Sequence, residues 1–406
     1  MNCSVIRKVV VWVPFHLMVG LAMGEESASS AEDFLGGPSS IGYQLQINKA
    51  PPLDSLTHPW HSFKLRVRER SGLDFNLDYA TLYQNAGSSL NGNDEAFSGV
   101  FRLYGKWELL GRGTKNVGSL IAKVENRERL GGDVVPGSLG GNLGYFGTTG
   151  ASFTDAGWFL APLYWEQFLA DGRAAFVVGR LDSLDFVDIS GYSGQWQRFQ
   201  NGSLLVNSTI PYPDLGLGAG AGFKVGADWW LGATIHDANG AGSEFDFLVD
   251  GAEFFKQAYL SWSPDRSRRM DRAAHLTVWH ADERSGSGID DGWGVALSAN
   301  WMLDCGLMPF MRTGWAEGAA SRADATVVGG MVYRPGNGIG EFGAALGWES
   351  LSGDGLGDQT AAEIFFRWDL NSHFSLTPSV QVLFDPALNP SDDAIVLGGV
   401  RARFSF

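Results

Sequence analysis

Cysteine is nearly missing from this 406-residue chain, which has only Cys3 and Cys305. A disulfide scaffold is therefore excluded. Basic residues are outnumbered, 30 Lys+Arg against 45 Asp+Glu, for a net charge of -15. That balance argues against a nucleic-acid partner, because phosphate contacts require a basic surface. Charge of either sign is sparse at 18%, yet a mean hydropathy of -0.06 is far from that of a helical membrane protein. Beyond residue 24 no apolar run reaches the ~18 residues of a spanning helix. Glycine and aromatics are abundant instead: 55 Gly, 26 Phe, 15 Trp and 10 Tyr. Disorder is not expected with so many aromatics. The length suits two or three domains or one large barrel.

Residues 1–24 read as an export signal. Arg7 and Lys8 form a basic start, Val9 to Met23 is apolar apart from His16, and Ala22 and Gly24 precede a cleavage point at Glu25. Residues 25–62 are rich in Ser, Gly and Pro, with Pro51-Pro52 and His58-Pro59-Trp60 near their end. They are expected to form a periplasmic, loop-like segment with little regular structure. Residues 63–406 form the remaining domain.

From about residue 72 the sequence alternates with period two, the signature of strands with two chemically different faces. Leu73, Phe75, Leu77 and Tyr79 alternate with Asp74, Asn76, Asp78 and Ala80. Trp293, Val295, Leu297, Ala299 and Trp301 stand opposite Gly294, Ser298 and Asn300. The final run places Val396, Val400, Ala402, Phe404 and Phe406 against Arg401, Arg403 and Ser405. Runs of about 9–13 residues exceed the ~5–6 of a soluble sandwich and match transmembrane barrel strands. Tyr79, Tyr83, Trp293, Trp301 and Trp368 lie near run ends, where aromatic girdles belong. The expected fold is thus all-β, a transmembrane antiparallel barrel. At ~20 residues per strand it holds about 16 strands, enough to enclose an aqueous channel. A terminal aromatic, Phe406, on the lipid-facing parity is the feature by which barrel-assembly machinery recognises a last strand.

Three blocks resemble a known family. The first is Leu65-Arg66-Val67-Arg68 leading into Ser71-Gly72-Leu73-Asp74-Phe75-Asn76-Leu77-Asp78-Tyr79. The second joins Leu163-Tyr164-Trp165-Glu166-Gln167, Asp171-Gly172-Arg173, Gly179-Arg180-Leu181-Asp182 and Phe186-Val187-Asp188. The third comprises Leu376-Thr377-Pro378, Asn389-Pro390 and Val396–Phe406. In this order they resemble the carbohydrate-selective porins of bacterial outer membranes (OprB-type). Two departures stand out. Arg180 replaces the commoner Lys, and His58-Pro59-Trp60-His61 stands where a Gly-Asp-Trp-Gly-Gly element is usual. The resemblance implies a passive channel favouring sugars such as glucose, with charged and aromatic groups at its constriction. Its partners are then outer-membrane lipid and neutral sugars as permeants. Diffusive permeation requires neither cofactor nor metal.

Parity points to the residues that line the bore: Arg102, Lys106, Glu108, Lys123, Glu125, Arg127, Glu363, Arg367, Asp369, Arg401 and Arg403, with Arg312 and Glu341 less clearly placed. Such charge on the lipid face would cost about 2–4 kcal/mol at the midplane. Most of these groups are expected to be solvated and to keep the bore wet. Alternation does not decide where Arg180 and Asp182 point, because Ala174-Ala175-Phe176-Val177-Val178 is apolar on both parities. Either a loop folds in against this strand or a neighbouring subunit of a homo-oligomer packs on it. Glycine-rich residues 128–160, with Phe146, Phe153, Trp158 and Phe159, suit a loop that narrows the bore. Rival readings are an anion or general diffusion channel, and a rim hydrolase using His236-Asp237 or His280-Ala281-Asp282.

Overall fold

The computed structural model describes residues 35–47, 58–242, 251–336, 338, 340–353 and 355–406. The expected export signal lies outside the described residues. Helices α1 (Ile41–Ile47) and α2 (His58–Ser71) precede the sheet. Strands β1 (Leu73–Ala86), β2 (Glu95–Leu110) and β3 (Gly118–Gly131) lead to the short helix α3 (Pro136–Asn142). Next come β4 (Gly157–Leu169) and β5 (Ala174–Leu181), then α4 (Gly202–Leu205). The chain continues through β6 (Gly216–Val225), β7 (Trp229–Asp237), β8 (Phe254–Trp262), β9 (Arg272–Ala281), β10 (Gly292–Trp301) and β11 (Leu307–Gly318). It finishes with β12 (Ala323–Tyr333), β13 (Gly340–Leu351), β14 (Gln359–Asp369), β15 (Phe374–Phe384) and β16 (Ala394–Ser405).

Each strand pairs antiparallel with the next, and β1 pairs with β16 from Asp78↔Ser405 to Ala86↔Leu397. The sheet is therefore a closed barrel with no edge. Phe406 joins the seam: its N–H donates to the Leu77 carbonyl at 2.8 Å and its carbonyl accepts from the Leu77 N–H at 3.0 Å. Both ends of the barrel sequence lie at one mouth, the turn side, where connections such as 170–173 and 226–228 are short. The opposite mouth, the loop side, carries the long connections 132–156 and 182–215.

Alternation has the sense expected for a membrane. On β16, Val396, Val400 and Phe404 are exposed, whereas Leu397, Arg401 and Arg403 between them are buried. Tryptophans mark both rims. Trp293 and Trp315 meet edge to face at 5.0 Å on the loop side, and Trp262 stacks on Trp301 at 5.9 Å on the turn side. Such rings favour the water–lipid boundary.

Two expectations need correction. The segment before the barrel is helical in 41–47 and from 58 onward, because tertiary contacts override the Ser/Gly/Pro composition. Helix α1 sits within the barrel: its Ile41 and Leu45 pack with Tyr104, Ile121, Tyr164, Val177, Leu181 and Phe186. The inward-folding chain is also more than 128–160. Residues 182–215 enter the bore as well, since β5 has only 8 residues and its chain leaves the wall early. Trp158, assigned to a narrowing loop, instead lies on β4, exposed on the outside against Phe101 at 5.6 Å.

Candidate functional site

The lumen is organised by three inward insertions, each received by an apolar patch on the otherwise polar inner face. Leu139, Leu143 and Tyr145 of the 132–156 connection meet Ala86, Ala361, Leu383, Ile395 and Leu397. Tyr192, Phe199, Leu204 and Leu205 of the 182–215 connection meet Met308, Phe310, Val328, Val332 and Phe365. Tyr192 stacks on Phe310 at 3.6 Å, an aromatic pair worth about 0.5–1.5 kcal/mol beyond its buried area. Helix α1 is the third insertion. The apolar stretch in β5 is explained here: Val177 points inward onto α1 and Phe186, so a loop and the N-terminal segment cover it.

The inner charges hold these insertions in place. Glu341 on β13 accepts hydrogen bonds from Arg198 Nε at 2.6 Å and Arg334 Nε at 2.7 Å, and lies 3.6 Å from Arg367 Nη1. The Glu363 carboxylate accepts the backbone N–H groups of Gln200 and Asn201, each at 2.9 Å. Arg401 donates to the carbonyls of Gln195 at 2.6 Å and Arg198 at 3.1 Å. Arg312 pairs with Asp188 at 2.8 Å, whose other oxygen accepts from Ser298 at 2.9 Å. Arg102 bonds Asp78 and its guanidinium lies 3.7 Å from the Trp196 ring centre. Arg403 shares the same Asp78 at 2.8 Å. Lys106 pairs with Glu166 at 2.7 Å, and Glu166 also accepts the Leu35 N–H at 3.0 Å. Glu125 lies between Lys123 at 2.8 Å and Arg127 at 2.7 Å.

The parity assignments thus put nearly all these charges inside the barrel, but not as freely solvated groups. Arg102, Lys106, Lys123, Glu125, Arg312, Glu363, Arg401 and Arg403 are buried in pairs or against loop backbone. Loop amides replace water around Glu363 and loop carbonyls around Arg401, while the others pair with oppositely charged side chains. Glu108 is half-exposed near the end of β2, away from this network. Arg180 faces inward and donates to the Ala241 carbonyl at 2.8 Å, and Asp182 caps the following turn by accepting the Leu184 N–H at 3.1 Å. Gly179 just before them has φ +141, and a Cβ there would lie 2.6 Å from the Leu163 carbonyl. Only glycine fits that step out of the wall.

Several partners escaped sequence reasoning. Asp78 and Glu166 lie on the inner parity, so alternation could have found them. Asp188 and Arg198 sit on an irregular loop where no periodicity signals them. Gly191 allows that loop to approach the far rim: a Cβ there would fall 1.7 Å from the Met270 carbonyl.

Three cavities hold open space among the described residues. A loop-side cavity of about 610 Å³ is bordered by Asn207, Tyr212, Arg284 and Arg322. A central cavity of about 270 Å³ shares Val206 and Tyr212 with it and is floored by Gly37, Pro38 and Ser39. A turn-side vestibule of about 620 Å³ is lined by Tyr43, Arg198, Arg334, Glu341, Arg367, Asp369 and Arg403. Arg367, Asp369 and Arg403 of the expected lining therefore face the vestibule, and Arg312 faces the central cavity. The mixture of arginines and carboxylates offers hydrogen bonds to hydroxyls without a single dominant charge.

The rim histidines have close polar neighbours. His236 Nε2 contacts Thr234 Oγ1 at 3.0 Å, and His280 lies 3.4 Å from Asp282. Among the described residues no group of three or more His, Cys, Asp or Glu is placed to hold a metal.

Comparison with known proteins bears on what this barrel is. Residues 257–406 match the family model of the carbohydrate-selective porins, OprB family. The matched stretch runs from β8 to the last residue. The high-pH structure of Pseudomonas putida OprB aligns with TM-score 0.67 at 14% identity, covering 86% of this chain and 98% of that one. Its low-pH structure aligns at 0.52 over the same shares, also at 14% identity. An engineered Rhodopseudomonas blastica porin aligns at 0.51 and 13% identity, covering 82% of this chain and all of that one. At these identities the structural likeness establishes the fold. No curated protein sequence matches the chain.

Proposed function

We propose that this chain is a bacterial outer-membrane channel for passive, selective diffusion of carbohydrates, with monosaccharides such as glucose the best-suited permeants. The observation that carries the reading is a closed barrel whose bore is narrowed by loops to small cavities lined by paired charges. Sugar hydroxyls can exchange water for these groups, and weak sites of this kind release a solute as readily as they accept it. In this reading residues 1–24 are the export signal, 25–62 are periplasmic, and 63–406 constitute the barrel domain, with its wall starting at Leu73. The turn side faces the periplasm and the loop side the exterior. The last strand, ending in Phe406, is what barrel-assembly machinery recognises, and the outer belt is free to meet another copy.

Liposome swelling with monosaccharides and oligosaccharides, together with ion selectivity in planar bilayers, tests the proposal. Faster entry of hexoses than of size-matched neutral solutes is expected. Strong anion selectivity without sugar discrimination would favour a general or anion channel, a reading that arginines 198, 334, 367 and 403 in the vestibule support.

A further inference from the structure

Helix α2 sits at the turn-side rim of the barrel, and its surface is unlike the rest of the protein. It carries Lys64, Arg66, Arg68 and Arg70 against the single acid Glu69, in a chain with 45 acidic and 30 basic residues. Helical geometry, about 100° per residue, sets Trp60, Phe63 and Val67 along one stripe and Phe63, Arg66 and Arg70 along the adjoining one. The first stripe is attached to the outside of the barrel. Trp60 lies 5.9 Å from Phe75 and 5.6 Å from Phe63, and Phe63 lies 6.4 Å from Phe75. Phe75 is on the lipid-facing parity of β1. Exposed Trp107 on β2, also on that parity, donates its indole N–H to the Ser71 carbonyl at 2.9 Å. The helix is thus continuous with the lipid belt at the turn-side rim, yet Phe63 and Leu65 remain 43% and 44% exposed.

The cations divide by face. Lys64 donates to Asn76 at 2.6 Å and Arg68 lies 3.7 Å from Asp74, both toward the barrel. Arg112 from the 111–117 turn caps the helix end by donating to the Arg68, Glu69 and Arg70 carbonyls. Arg66 and Arg70 are exposed and pair with no acid among the described residues. Their Cβ atoms, at i and i+4, lie about 6 Å apart, a span that one phosphate can bridge.

We infer that α2 is a membrane-interface helix that binds an acidic glycerophospholipid of the turn-side leaflet, with Arg66 and Arg70 on the headgroup phosphate and Phe63 against the acyl chains. An apolar stripe bordered by arginines lies in the plane of an interface, where the side chains reach outward to headgroups. Each arginine at an anionic surface strengthens binding about fivefold.

Native mass spectrometry of the detergent-purified full chain, titrated with phosphatidylglycerol or phosphatidylcholine, tests this. Wild type is expected to bind phosphatidylglycerol in preference. Arg66→Gln/Arg70→Gln should weaken that binding roughly 10–30-fold, and Arg284→Gln on the loop side should leave it intact. Arg66→Gln alone gives about a fivefold loss should the double variant not fold. Equal binding of the two lipids, or unchanged binding by the glutamine variants, would overturn the assignment. Arg66 and Arg70 border none of the cavities described above, so such a failure leaves the channel reading standing.

Discussion

Glu341 on β13 and Arg198 on the 182–215 connection are joined by a 2.6 Å hydrogen bond inside the barrel. The pair ties a loop that begins at β5 to a strand well around the circumference. Removing the carboxylate leaves three arginines facing one another. Breaking a buried pair costs about 3–5 kcal/mol; partial exposure of Arg334 and Arg367 reduces that to about 2–3 kcal/mol. Glu341→Gln should therefore lower the midpoint of the barrel's heat-induced mobility shift and raise single-channel conductance with added current noise. Unaltered conductance traces would deny the loop a part in narrowing the bore.

Gly191 brings the same loop against Met270 at the turn-side rim. Alanine there requires the loop to retreat, because its Cβ would overlap the Met270 carbonyl. Gly191 N–H also donates to Asn300 at 3.1 Å, a bond the retreat would break. Gly191→Ala is expected to destabilise the loop by about 1–3 kcal/mol and to speed entry of disaccharides into liposomes relative to glucose.

Helix α1 stands between the central cavity, which Pro38 and Ser39 line, and the vestibule, which Tyr43 and Ile47 line. Its anchors are Ile41 and Leu45, with Gln44 accepting from Arg403 at 3.3 Å. Each buried aliphatic side chain contributes about 1.5–3 kcal/mol. Charging both anchors, as Ile41→Arg/Leu45→Arg, should expel the helix and at least double the conductance. Bilayer recordings with the same current as wild type would mean that solutes already bypass α1.

Asp185 lies in the turn after β5, where both carboxylate oxygens are buried without a hydrogen-bond partner. Burial, reinforced by the neighbouring Asp182 charge, pushes its pKa well above the ordinary 3.8. The folded chain then holds this proton more tightly than the unfolded one. Its contribution to stability is full below about pH 4 and is lost as pH rises through the raised folded value. Heat-shift midpoints across this range should decline less steeply in Asp185→Asn than in wild type. A variant retaining the full decline would assign it to another group.

Strand polarity was legible because lipid and lumen impose opposite chemistry on alternate residues. Val396, Val400 and Phe404 against Arg401 and Arg403 admit one orientation only. Strand length then indicated the membrane, and chain length indicated the 16 strands found. Alternation says that Glu363 and Arg401 face inward and places Arg312 less clearly, but it does not say what they meet there. Asp188, the backbone at Gln200 and the carbonyl of Gln195 come from a segment without periodicity. The inner apolar positions, such as Phe310, Phe365 and Leu397, could have signalled that something packs against them. Their partners could not be named from one strand at a time.

By itself the sequence determined a barrel with greasy outside and charged inside, because a two-residue period is a local property of each strand. Only the tertiary structure decided that the charges fasten insertions rather than bathe in water. That outcome depends on which distant segments converge in the bore, and convergence is set by ring closure and by the early exit of the chain from β5.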